Sequence, residues 1–455
     1  MTNQSHRTPW SRRLATAGCA LALATAGTLG VTTTVSADDD EEFRVGAGPD
    51  DEDTFRIGIV TFLSGGASGP FGVPAANAAE VVVEGINAGE LPPPYDSVGL
   101  NGMQIEAIVI DEEGGASRQV EEYRNLVERR NVDAVIGYIS SGDCLAIGPV
   151  AEELEMLTIA FDCGTPRLFE EVENPQYLFR TGLDAVADNV GAVRYLLETQ
   201  PDVQRIAGLQ QNYAWGHDSW RDFTAALETL MPDAEIVSSQ MPQIFQGSYG
   251  SEISSLQTSR PEIVHSSAWG GDMEAFMSQA TARGLLDNAT ALLTTGESGV
   301  HRFGDRAPNG TIVGGRGPFG EFAPDNELND WFTERYVATH GTQPSYPSHK
   351  MAQAILGLKH AVDNAGADEG TQPSTEDIAD ALRGAEFQSV SGTVYMDRAG
   401  GHQAVQQMLY GEYHFDGETP RLENVREYSA ECVTAPDGED PIEWIKAGFP
   451  GVDCD

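Results

Sequence analysis

The strongest constraint in the chain is a rhythm in which short apolar strands alternate with helices, and the series runs twice. The first series reads as strands over residues 55–63, 103–110, 132–139 and 157–161, separated by helices over 74–88, 116–130 and 145–155. Parallel strands need a crossover connection, and a helix is the usual one, so this spacing implies βαβ units. The series restarts with helices over 185–199, 217–230, 251–258 and 273–283, set between strands over 204–209, 234–238, 262–267 and 291–295. A long amphipathic helix over 346–365 and late strands over 390–396 and 406–415 follow. The expected fold class is α/β, with two doubly wound parallel-sheet lobes. Open α/β sheets bind ligands beyond the carboxyl ends of their strands. The loops after Leu63, Ile139, Phe161, Leu209, Ser267 and Thr295 are therefore where a site is sought.

The first residues read as an address. Arg7, Arg12 and Arg13 precede an uncharged run over residues 14–31, and Val35-Ser36-Ala37 has the small-x-small pattern of signal cleavage. We expect a signal peptide over 1–37, an acidic flexible leader over 38–53, and a periplasmic or extracellular protein. Losing three arginines takes the formal net charge from −43 to −46. That balance excludes nucleic acid, whose phosphates need clustered cations, and disfavours an anionic membrane surface. The acids are spread along the whole chain, and only Lys350, Lys359 and Lys446 are lysines among 27 cations. This reads as a halophilic surface, adapted to high salt, rather than a metal site. Export implies an oxidising compartment. Cys144, Cys163, Cys432 and Cys454 remain after cleavage and allow three pairings, of which sequence proximity favours Cys144–Cys163 and Cys432–Cys454.

Catalytic signals are absent. The chain has no G-x-S-x-G, no H-E-x-x-H and no Walker loop. A literal G-x-G-x-x-G at Gly315, Gly317 and Gly320 contains Pro318 and opens no helical pattern, so it does not read as a dinucleotide site. We expect no enzyme, no cofactor and no metal.

The loop regions resemble the solute-binding proteins of branched-chain amino-acid ABC transporters. Phe55-Arg56-Ile57-Gly58-Ile59 followed by Leu63-Ser64-Gly65 and Phe71-Gly72 looks like that family's first strand and ligand loop. Asn87-Ala88-Gly89, Asn101-Gly102 and Asp111 are similar to its next segment and strand-end aspartate. Val135-Ile136-Gly137 with Ser140-Ser141, Phe179-Arg180-Thr181, Tyr213-Ala214-Trp215-Gly216, and Gln279-Ala280 with Arg283-Gly284-Leu285 continue the likeness in order. The resemblance covers most of residues 54–416. It implies a type I periplasmic binding fold with three hinge crossings near residues 181, 318 and 392. One lobe would hold 54–181 with 319–392, the other 182–318 with 393–430, and 431–455 would form a C-terminal segment with a disulfide.

The same resemblance implies a monomer that binds an amino acid or related small polar solute and presents it to a membrane permease. Ser141, Gly164 and Thr165 match positions for a ligand carboxylate, and Ser141 also stands where a helix begins, which suits an anion. Glu297 matches the carboxylate for the ligand's α-ammonium. Phe71, Trp215, Trp269 and, more weakly, Tyr213 match aromatic positions around the ligand. Two departures are plain. Asp162 lies beside the carboxylate loop, where it would repel an anion if it faced the cleft, and the two tryptophans would narrow the pocket. An aromatic acid, an amide or urea-like solute, or a cation then competes with leucine as the ligand, and a sensor of such solutes is the alternative to a transport component.

Overall fold

The computed structural model describes residues 43–47, 54–172, 174–452 and 454. The expected signal peptide and most of the leader lie outside the described residues. The chain builds two sheets. The first contains β1 (Phe43–Gly46), β2 (Thr54–Thr61), β3 (Gln104–Asp111), β4 (Ala134–Gly137), β5 (Thr158–Ala160) and β6 (Leu178–Arg180). The second is made by β7 (Arg205–Leu209), β8 (Glu235–Gln240), β9 (Ile263–Ser266), β10 (Thr290–Leu293) and β11 (Ile312–Gly314). The chain then returns to the first sheet with β12 (Glu386–Ser389), β13 (Gly392–Arg398) and β14 (Gln403–Val405), and ends in the second with β15 (Met408–Phe415) and β16 (Pro420–Tyr428).

The first sheet has the order β1-β3-β2-β4-β5-β6-β14-β13-β12 and the second β16-β15-β11-β10-β9-β7-β8. In each, the leading strand lies between the second and third strands of its own parallel set, and the parallel pairs run β3-β2-β4-β5-β6 and β8-β7-β9-β10-β11. This order creates a topological switch point beside β2 in one sheet and beside β7 in the other. The central strands are buried on both faces, as helix-covered parallel sheets require. Phe55, Ile57, Ile59 and Val60 of β2 are all inaccessible.

The helix Val73–Ala88 carries Pro74 in its first turn and ends at Gly89, whose φ of 64° lets its N–H reach the carbonyls of Gly85 and Ile86. Its apolar face packs on the helix Tyr346–Asn364. That second helix was read as amphipathic, yet even Lys350 and Lys359 on it are buried. Lys359 is accommodated because its Nζ reaches Asp363 at 2.8 Å, the carbonyl of Gly99 at 2.7 Å and Ser97 at 2.9 Å.

Two expectations change. The leader is not wholly flexible: β1 pairs antiparallel with β3, Val45 is buried, and Arg44 forms an ion pair with the buried Glu106. The third change of sheet lies between Val405 and Met408 rather than near residue 392, because β13 and β14 continue the first sheet beside β6. Among the described residues no helix is long and apolar enough to cross a membrane.

After β16 the chain folds back as the helices Ala430–Val433 and Pro441–Lys446. Trp444, Ile445 and Phe449 join the core formed by the helices Ala185–Thr199 and Ala214–Leu230, and the Arg194 guanidinium stacks 4.9 Å from the Phe449 ring. Cys432 and Cys454 form a disulfide with Cα atoms 5.8 Å apart, closing 22 residues of separation. Replacing both cysteines by serine should lower the unfolding free energy by about 3 kcal/mol through the regained chain entropy. Denaturant titration measures this, and solute affinity should be unchanged because the segment lies away from the cavity described next.

Candidate functional site

Loops from both sheets line a small cavity with about 210 Å³ of space, part of it open to solvent. From the first sheet come Phe71 beyond β2, Ser141 beyond β4, and Asp162 and Gly164 beyond β5. From the second come Tyr213 and Trp215 beyond β7, Trp269 beyond β9, Thr295 beyond β10 and Arg316 beyond β11. Tyr346, the first residue of its helix, completes the wall. Contacts between the lobes lie beside the cavity: Arg302 donates to the carbonyl of Gly69 at 2.8 Å, and the Phe245 ring, 5.5 Å from Trp269 of its own lobe, sits 6.5 Å from Phe62.

Ser141 opens the helix Ser141–Glu153, so its amide and that of Gly142 have no acceptor within the helix. The turn ahead of it is braced by Glu112, whose carboxylate accepts from the amides of Ile139 at 2.9 Å and Ser140 at 2.7 Å. Burial, reinforced by Asp143, pushes the Glu112 carboxyl well above the usual range. The disulfide Cys144–Cys163, with Cα atoms 6.2 Å apart, ties the first turn of this helix to the loop that carries Gly164. A Cβ at Gly164 would lie 2.2 Å from the Trp215 ring and 2.5 Å from Arg316, so only glycine fits there.

The aromatic walls are held by their own hydrogen bonds. Trp215 Nε1 donates to the carbonyl of Ser267 at 2.8 Å, and Trp269 Nε1 donates to the Tyr213 hydroxyl at 2.6 Å. Both indole donors are thereby used within the protein. The Tyr213 hydroxyl accepts that bond and keeps its own proton to donate. Phe71 meets Trp269 and Tyr346 edge-on, each at 5.2 Å between ring centroids.

A buried ion network underlies one side of the cavity. Arg316 donates to Asp162 through Nη1 and to Asp188 through Nε at 3.0 Å, and its guanidinium stacks 4.5 Å from the Trp215 ring. Lys350 Nζ reaches the same Asp162 oxygen at 3.0 Å. Burial acts to raise the Asp162 carboxyl, but Arg316 and Lys350 outweigh it and hold Asp162 below the usual range. Burial, followed by the Arg316 charge, lowers Lys350 to about 8 against the pull of Asp162.

With this geometry in hand, the comparisons decide the family. Periplasmic binding proteins, as a family, match residues 54–418. The chain belongs to the periplasmic binding protein family. A solute-binding protein of an ABC transporter from Rhodopseudomonas palustris BisB5, in complex with 3,4-dihydroxybenzoic acid, is 19% identical with a TM-score of 0.71, over 83% of this chain and 98% of its own. Another from R. palustris, in complex with benzoate, is 18% identical with a TM-score of 0.68, over 84% of this chain and 99% of its own. The leucine-, isoleucine-, valine-, threonine- and alanine-binding protein of Brucella ovis, in its closed conformation, is 21% identical with a TM-score of 0.70, over 84% and 97%. These three share the type I periplasmic binding fold with the chain. No curated protein matches it.

Of the residues expected in this periplasmic binding protein's site, Ser141, Gly164, Phe71, Tyr213, Trp215 and Trp269 line the cavity. Thr165 and Glu297 do not. The Thr165 hydroxyl donates to Asp218 at 2.7 Å and accepts from the Arg167 amide, which turns it away from the cavity. Glu297 is spent on backbone: its carboxylate accepts from the amides of Glu321 at 3.0 Å and Tyr346 at 2.6 Å. It packs so tightly on Gly320, where φ is 60°, that a Cβ there would lie 1.9 Å from its oxygen. Burial raises the Glu297 carboxyl to about 7 in spite of those two amides.

Arg316 was not expected. Its only sequence signal was position: an arginine between two glycines, at a strand end, inside the glycine pattern set aside above. Asp162 does line the cavity, but two cations already hold it.

Two substitutions test this arrangement. Gly164→Ala should push Trp215 or Arg316 into the cavity and weaken solute binding at least tenfold, read by calorimetry. Glu297→Gln should cost about 1–3 kcal/mol of stability, because its amide nitrogen must face a backbone N–H. It should change solute affinity less than threefold, whereas a carboxylate that held a ligand ammonium would lose far more.

Proposed function

We propose that the protein is the solute-binding component of an ABC importer and that its solute is a small aromatic carboxylate. One observation carries the choice of solute: Glu297, the expected partner for an α-ammonium, is spent on two backbone amides, while Arg316 lies against the cavity. The carboxylate that does line the cavity, Asp162, has Arg316 and Lys350 as partners. Among the described residues the one carboxylate that an amino acid's ammonium would meet in this wall is Asp162, whose charge Arg316 and Lys350 already neutralise. A carboxylate would meet the start of the helix Ser141–Glu153, the Ser141 and Tyr213 hydroxyls and the remaining N–H groups of Arg316. The rings of Phe71, Trp215, Trp269 and Tyr346 suit a flat apolar body. The relatives that bind benzoate and 3,4-dihydroxybenzoic acid support this reading, and the amino-acid binder from Brucella ovis marks its competitor.

In this reading the two lobes are rigid bodies, and the three sheet changes, after Arg180, after Gly314 and between Val405 and Met408, are hinges. A solute would bias the closed form, and a permease would recognise it. Export through the N-terminal segment would place the protein outside the cytoplasm, as a monomer with a high-salt surface.

Calorimetry should find benzoate or a hydroxybenzoate bound at least tenfold more tightly than leucine, and urea not bound. Leucine binding above every aromatic acid would sink the proposal. Ser141→Ala should weaken the aromatic acid about tenfold, the worth of roughly one hydrogen bond to a charged group.

A further inference from the structure

The charges buried beside the cavity balance. Asp162 and Asp188 oppose Arg316 and Lys350, and each of the four residues is more than nine-tenths buried. A carboxylate set against Arg316 adds a further negative charge beside side chains that are themselves withdrawn from water. Uncompensated charge in such a place is expensive, and the usual relief is a change of protonation.

One member of the set is placed to provide it. Asp188 Oδ2 accepts from Arg316 Nε, but its Oδ1 is buried with no hydrogen-bond partner. Asp162 also leaves one oxygen without a partner, yet both cations converge on its other oxygen and hold the group ionised. Asp188 has the weaker support. Burial raises it to about 6, against the charges of Arg316 and Lys350.

The groups that face Asp188 come from several elements. Asp184 lies one turn away at the cap of the same helix and is itself paired with Arg180 of β6. Arg316 comes from beyond β11, and Lys350 and Tyr346 come from the helix Tyr346–Asn364. Tyr410 of β15 donates its hydroxyl to the Asp188 backbone carbonyl at 2.7 Å. Asp162 shares Arg316 with it. Across the cavity, behind the start of the helix Ser141–Glu153, Asp143 is also raised to about 6 by burial and sits beside Glu112. Asp143 is therefore one competing proton acceptor, and Glu112 and Glu297, both raised by burial, are the others.

We infer that capture of a carboxylate by Arg316 is coupled to uptake of one proton by Asp188, so that the cavity takes in an anion and a proton together. The inference rests on the carboxylate reading above. The proton comes from solvent and settles on the unpartnered Asp188 Oδ1, and no other bond is made or broken. Below about pH 6 the free protein already holds this proton, and no uptake accompanies binding. Above it, uptake approaches about one proton per solute and affinity falls by up to about tenfold per pH unit. Lys350, lowered to about 8, is still mostly charged at pH 7 and bounds the window from above.

The test is calorimetry of the purified protein with benzoate at pH 7, in two buffers of different ionisation enthalpy. We expect an uptake of between about half and one proton per benzoate. Asp188→Asn loses an anchor of Arg316, so its affinity will change, but the benzoate binding that remains should show neither uptake nor pH dependence, and Asp143→Asn should retain both. Benzoate binding without uptake in the unaltered protein overturns the coupling and leaves the carboxylate reading intact. Uptake that persists in Asp188→Asn, or that is lost in Asp143→Asn, overturns the assignment to Asp188. Should Asp188→Asn not fold, titrations of Asp143→Asn, Glu112→Gln and Glu297→Gln make that decision: uptake lost in any one overturns the assignment to Asp188, and uptake retained in all three supports it. Failure of benzoate and 3,4-dihydroxybenzoate to bind at millimolar concentration overturns the carboxylate reading and the coupling with it.

Discussion

Two carboxylates and two cations meet away from water at the junction of the two sheets, and the shape of the cavity depends on them. Arg316 leaves the end of β11 and pairs with Asp162 at the end of β5, so a single guanidinium spans both lobes. Lys350 fixes the helix Tyr346–Asn364 to the same oxygen, and Asp188 anchors the other edge of the guanidinium. Removing any one member would leave a buried charge unpaired, a loss of roughly 3–5 kcal/mol. The network thus holds Trp215 and Tyr346 in place through the Arg316 plane, at 4.5 and 5.8 Å from their ring centroids. Replacing the network by apolar side chains would remove Arg316, the one cation among the described residues that line the cavity.

Sheet order explains why the site falls where it does. Both parallel sets wind outward from an inner strand, so each leaves a crevice at the carboxyl ends of β2 and β4 and of β7 and β9. Facing these crevices toward each other gathers helix starts. The helices Ser141–Glu153, Ala214–Leu230 and Gly270–Ala282 all begin at residues next to or within the cavity wall, with their positive dipole ends inward. Backbone alone therefore favours an anion at this place, before any side chain is counted. Arg316 adds to a preference that the topology already carries.

Much of this was legible in the sequence because burial on both faces leaves a readable trace. The strand and helix order held along the parallel sets, and the helix over 185–199 kept its boundaries. The errors cluster at helix starts. Three helices were read as beginning at Leu145, His217 and Met273, but they start three or four residues earlier, at Ser141, Ala214 and Gly270. Apolar periodicity registers core contacts, and the first turns of these helices face the cavity instead, so they carry serine, glycine and tryptophan. Glu297 was misplaced for a different reason. A strand-end carboxylate looks the same in sequence whether it serves a ligand or two backbone amides. Arg316 was hidden because its function depends on Asp162, Asp188 and Lys350, residues separated from it by 154, 128 and 34 positions. No local pattern encodes that meeting.

The overall charge must be reconciled with an anionic solute. A chain of formal net charge −43 surrounds itself with a field that repels anions, and the balanced network inside the cavity does nothing to offset that field at a distance. Screening decides whether this matters. At about 0.01 M salt the Debye length is roughly 30 Å and the whole surface acts on an approaching carboxylate. At about 1 M it is roughly 3 Å, and only groups in contact with the solute are felt. Under the second condition the acidic surface and the anion-accepting cavity are independent of one another. In the proposed reading the helix starts and Arg316 then govern binding alone. An acidic exterior and a site for an acid are compatible in one molecule where salt separates their fields.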